Sequence, residues 1–115
     1  METPNEAGSL PVLGWVFAAL LLMIALICWV AGSGKIAPNG AVGLRIPPLT
    51  RSTSAWKAGH AAGVAPASIA FVVALVCSVV GLFAPPAYWG AVAALVGGLI
   101  WVIAAAVRAA NAATG

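Results

Sequence analysis

Few side chains in this sequence could do chemistry, and most of those that could lie between residues 32 and 63. That stretch holds Lys35, Arg45, Arg51 and Lys57, four of the five basic residues, and also His60, the sole histidine. Ser52 and Ser54 come shortly before His60 in the chain, but a nucleophile needs an oriented base, and no carboxylate is at hand to orient this one. The only acidic side chains, Glu2 and Glu6, stand at the start of the chain, so no general-acid pair is expected in the loop. One His and two Cys within apolar runs make no metal site. The expectation is a chain without catalytic residues, metal or cofactor, whose 32–63 loop binds.

The binding chemistry available is cationic. Four cations beside a membrane attract anionic headgroups at about 1 kcal/mol each, so the lipid bilayer is the first partner expected near Lys35, Arg45, Arg51 and Lys57. Arg45 stands apart because Gly43 and Pro47 bracket it in a backbone that has to be shaped. Its planar guanidinium can clamp backbone carbonyls or hold a phosphate or carboxylate, and both roles are open to it. His60 is expected as a hydrogen-bonded interfacial residue. The net charge of +3 is small, and no nucleic-acid partner is expected.

The elements that position this loop follow from composition. The 115 residues are 63% hydrophobic and 6% charged, against about a quarter charged in a soluble domain. Such a chain cannot cover a water-facing surface, and it is too apolar to remain disordered. It is expected to form a single all-α membrane domain over residues 10–115, after an external tail at 1–9. The first predicted span is 10–31, in which 12 of 22 residues are Leu, Ile, Val or Phe, enough for about 5 kcal/mol of insertion energy. It lacks the basic leader and short apolar run of a signal peptide. Trp15 and Trp29 lie near its two ends as interfacial anchors, and Gly32-Ser33-Gly34 is expected to end the helix.

Within the loop, Pro38-Asn39-Gly40 predicts a reverse turn and Ile46-Pro47-Pro48 an extended segment. Thr50, Ser52 or Thr53 could cap a short helix running to about Ala62, which would rest on the membrane surface with Trp56 in the headgroup layer. Trp56 and His60, four apart, would share a face. Gly63 then separates this short helix from a second span, 64–83, with Pro66 in its first turn. Ala84-Pro85-Pro86-Ala87 breaks that helix, and the third span, 88–107, follows as its antiparallel neighbour. Cys28 and Cys77 would then differ in depth by roughly 15 Å, too far for a disulfide.

The third span is the least hydrophobic. Gly90, Ala94 and Gly98 repeat every four residues, a stripe that lets another helix approach closely. Packing within the chain and a homo-oligomer seam are both compatible with it. All five basic residues fall on one side of three spans, which the positive-inside rule makes cytoplasmic. The amino terminus is then outside and the carboxyl terminus inside. None of the spans carries an ionisable Asp, Glu, Lys, Arg or His, which argues against a coupled transporter.

The loop also carries a resemblance. Ile36-Ala37-Pro38-Asn39, then Gly43-Leu44-Arg45-Ile46-Pro47, then Arg51-Ser52, Trp56 and His60 are similar to the signature of the SdpI family. Its members show I-x-P-N, G-x-R-T-P and W-x-x-x-H at matching spacing, between hydrophobic spans. Here Ile46 stands where Thr is usual, and Thr53 and Ser54 where acidic residues are common. The resemblance implies a multi-pass protein of the bacterial cytoplasmic membrane. It also implies immunity to, or sensing of, a membrane-active toxic peptide, and a cytoplasmic repressor held at the membrane as a second partner. The residues it singles out are Pro38, Asn39, Gly43, Arg45, Pro47, Ser52, Trp56 and His60. The competing expectation is a non-catalytic structural or assembly protein that packs with itself or another membrane protein through Gly90, Ala94 and Gly98.

Overall fold

In a computed structural model, which describes residues 4–113, the chain is all-helical over those residues. Helix α1 spans Pro4–Gly32, a single helical turn α2 spans Pro47–Thr50, α3 spans Thr53–Gly81, and α4 spans Tyr88–Ala112. A 3-10 turn at Pro85–Ala87 joins the last two. The first residues of the expected external tail, and the chain beyond Ala113, lie outside the described residues. The three long helices are long and apolar enough to cross a membrane. They lie side by side in a bundle of 60 × 22 × 20 Å.

Between its long helices the bundle buries mostly small residues, and most large apolar residues face outward. Helix α3 packs against both others, presenting Ala67, Ala70, Ala74, Ser78 and Gly81 inward at spacings of three and four. Ala18, Leu21 and Ala91 meet it at one level and Ala25, Cys28 and Val102 at the next. Leu26, Val72 and Ile100 point outward, each more than half exposed. Lipid tails are as apolar as Leu, so burying Leu between helices gains little there, and close backbone packing over small residues drives association instead. Tyr88 closes the end opposite the loop, its ring seated on Gly14 and Gly81.

The structure corrects the expected elements in two places. The expected surface helix and the second span are one continuous helix of 29 residues, so Thr53–Ala62 extends the bundle rather than lying on the membrane. Gly63 is no break: it is buried, and a Cβ there would come within 3.0 Å of Cys28 Sγ. It serves close approach to α1, not a change of direction. Pro66 likewise lies inside the helix rather than in its first turn. The lost backbone bond is tolerated because neighbouring helices pack the segment on both sides. At about 1.5 Å per residue, α3 is roughly 43 Å long, more than the ~30 Å hydrocarbon core, so about two turns project beyond it.

The other correction concerns Pro47 and Pro48. Ile46 is extended (φ −108°, ψ 148°), but the two prolines form the first turn of α2, where a missing N–H costs nothing. This turn drives Leu49 into the gap between α3 and α4, where it is fully buried against Gly59, Ala106 and Ala110.

Candidate functional site

The segment 33–52 folds back over the projecting turns of α3, and nearly every polar group in it has an architectural partner. Its entry is a glycine-terminated helix end: Lys35 N–H donates to Val30 O (3.2 Å), Gly34 N–H donates to Ala31 O (3.2 Å), and Gly34 takes φ +86°. The turn at Asn39 is organised by one side chain. Its Oδ1 accepts from the N–H groups of Ala41 (2.8 Å) and Val42 (2.7 Å), while Nδ2 donates to Ala37 O (2.9 Å) and Val42 O (3.1 Å). One amide thus satisfies four backbone groups that no regular element serves.

Trp56 and His60 then lock this turn to α3. Trp56 is fully buried, and its Nε1–H donates to Ile36 O at 2.9 Å. This overturns its expected place in the headgroup layer: the loop itself covers the ring. His60, also fully buried, uses both ring nitrogens on backbone. Leu44 N–H donates to Nε2 at 2.8 Å, and Nδ1 lies 2.7 Å from Trp56 O. A backbone N–H can only donate and a carbonyl can only accept, so the proton sits on Nδ1 and the imidazole is neutral. With both nitrogens committed, no lone pair is left for a metal or a nucleophile. Gly43 passes over the two rings at φ +116°, where a Cβ would lie 2.5 Å from Trp56 Cη2. No L side chain suits that backbone or that space.

Of the two roles open to Arg45, the clamping one is filled by a different arginine. The guanidinium that clamps carbonyls is that of Arg51: its Nη2 donates to Ala110 O and to Ala113 O (2.9 Å) at the end of α4. Those carbonyls belong to a helix C-terminus, whose dipole favours a cation. Arg45 is exposed and has no hydrogen bond or ion pair among the described residues. The reason is alternation. Leu44 and Ile46 pack inward onto the α3–α4 core, so the residue between them points out. Ser52 caps α3, its Oγ accepting from Ala55 N–H at 3.0 Å. Pro38 is half-buried beside the Asn39 turn, and Pro47 opens α2.

The site that results is a braced platform. Asn39, Gly43, Ser52, Trp56 and His60 are spent on holding the loop, and Arg45 is presented to the outside. Leu49, which ties the loop to α4, escaped sequence reasoning, and Arg51 was expected at anionic headgroups rather than on the carbonyls of α4; the pair of prolines before Leu49 was the available signal for a helical turn. Gly90, Ala94 and Gly98 are remote from this platform and turn toward α3. A Cβ on Gly90 would lie 2.5 Å from Cys77 Sγ, and one on Gly98 2.5 Å from Ala70 Cβ. No family model, curated protein or solved structure matches this chain.

Proposed function

We propose that this chain is a multi-pass protein of the bacterial cytoplasmic membrane that confers tolerance to, or senses, a membrane-active toxic peptide, as its resemblance to the SdpI family implies. The amino terminus lies outside and the braced loop on the cytoplasmic face, where all five basic residues gather. Within the bilayer the outward Leu, Val and Ile side chains are the surface a membrane-active peptide meets. On the cytoplasmic face Arg45 is the contact for an anionic group, on a repressor or another partner, and its planar fork suits a carboxylate or phosphate. One observation carries this reading: the signature residues Asn39, Gly43, Trp56 and His60 fix the loop, while Arg45 alone among its charged signature positions is left outward and without a partner among the described residues.

The test is expression in a bacterium sensitive to such a peptide. Tolerance should rise with the wild-type chain and be lost with Arg45→Ala and Arg45→Lys, at unchanged protein level in the membrane. Unchanged tolerance at full wild-type expression would defeat the immunity reading, and activity retained by Arg45→Lys would reduce the role of Arg45 to its charge.

A further inference from the structure

A second site lies beside the platform rather than on it. Where α1 ends, Gly32 runs directly against the α3 backbone: a Cβ there would come within 2.6 Å of Ala61 N. Because Gly32 and Ala61 have almost no side chain, they leave a groove of about 330 Å³ between the two helices, lined by Trp29, Gly32, Ser33, Ala61 and Val64. That volume is at the lower end of the range of ligand pockets. The groove opens outward, and its wall is apolar apart from Ser33, whose hydroxyl already donates to Val30 O at 2.9 Å.

Its depth is set by the chain. Ala31 ends the first span expected from the sequence and Val64 begins the second, so the groove sits where hydrocarbon gives way to headgroups. Two ammonium groups stand at its polar edge. Lys35 Nζ lies 5.0 Å from the centroid of the Trp29 ring. Lys57 reaches back to Gly34, its Nζ 3.5 Å from where a Cβ would be. No Asp or Glu follows Glu6 in the sequence, and Glu6 belongs to the opposite end of α1. The two cations therefore have no carboxylate side chain to pair with at this end of the bundle.

We infer that this groove is a binding site for one anionic phospholipid of the surrounding leaflet. An acyl chain lies along Trp29, Ala61 and Val64, and the headgroup phosphate sits between the ammonium groups of Lys35 and Lys57. Charge complementarity selects the occupant. A zwitterionic lipid fills the groove equally well but leaves both lysines without net compensation, and an apolar peptide segment has nothing to offer them. The inference is independent of the immunity reading, since it does not use Arg45.

The test uses the full chain in phosphatidylcholine vesicles containing a minor fraction of either brominated phosphatidylglycerol or brominated phosphatidylcholine. The Trp29 emission is isolated as the difference between wild type and Trp29→Phe. Brominated phosphatidylglycerol should quench it more than the same fraction of brominated phosphatidylcholine. Lys35→Gln and Lys57→Gln should each reduce that preference about five-fold, the effect of one basic residue near an anionic surface. Arg108→Gln, an exposed cation on α4, should leave the preference in place. Ala61→Leu, which keeps both lysines and fills the groove from an exposed position, should lower quenching by phosphatidylglycerol. Equal quenching by the two lipids overturns the inference. So does an Arg108→Gln effect as large as those of the lysine variants, because the preference would then be general surface charge. Undiminished quenching in Ala61→Leu removes the groove as its seat.

Discussion

Arg45 and Arg51 are the same residue type six positions apart, and their surroundings give them opposite work. Arg51 spans from the loop to the last carbonyls of α4. Arg51→Ala should therefore destabilise the protein by about 1 kcal/mol, the scale of a partly exposed cation at a helix C-terminus. Arg45→Ala should change stability by less than about 0.5 kcal/mol, as for a surface position away from any packed feature. Thermal unfolding of the two variants in detergent checks the assignment, and an equal loss in both would return the clamping role to Arg45. His60 offers a sharper test at this scale. Nitrogen NMR of the labelled ring should find Nδ1 protonated and Nε2 bare, since Leu44 N–H occupies the Nε2 lone pair. The opposite tautomer would break the lock as described.

Among the elements, α4 sets two adjacent glycines in contrasting surroundings. Gly98 is buried, with Ala70 Cβ 2.5 Å from where its own Cβ would be, whereas Gly97 has nothing within 4 Å. Gly98→Leu should cost about 1–3 kcal/mol or more through overpacking against α3. Gly97→Leu should fold as well as wild type, relieved of the conformational freedom of glycine in a helix. Comparing melting temperatures in detergent separates packing within the chain from a seam between chains. If Gly98→Leu melts normally and only abolishes a cross-linked dimer, the stripe serves assembly. Helix α3 shows the same logic at Gly59 and Gly63, where Leu49 and Cys28 occupy the space a side chain would need.

For the whole molecule, the inside-small, outside-large arrangement is stable only where the exterior is apolar. The orientation proposed for it follows from charge. The loop and the end of α4 lie together, joined by Arg51 and by Leu49 among Ala106 and Ala110, so the basic residues gather at one end of the bundle. In a background with Cys28 and Cys77 replaced by Ala, Ser9→Cys should react with an impermeant thiol reagent in intact cells, and Gly40→Cys should not. Both positions are exposed, and Gly40 has open space around it, so labelling reports sidedness rather than burial. Labelling of Gly40→Cys from outside would invert the topology.

Segment-long properties were legible in the sequence. Three uncharged runs of sufficient length required spanning helices, because every backbone polar group in hydrocarbon must be bonded internally. Pro85-Pro86 required the break before α4, and the spacing of Trp56 and His60 placed them on one helical face. Properties that depend on what lies across a gap were not legible. A glycine before an apolar run looks like the boundary between two helices until Cys28 is found against it, and a tryptophan near a membrane looks like an anchor until Ile36 O is found at its Nε1. Likewise, flanking Gly43 and Pro47 set Arg45 apart in the sequence, but that Arg51 is the clamp shows only where it meets the carbonyls of Ala110 and Ala113, contributed from some 60 residues away. Length and hydropathy are sums along the chain, so the sequence alone determined that three long apolar helices form. Burial and hydrogen-bond pairing join distant segments, and the tertiary structure alone decided which of the loop's residues are scaffold and which face outward.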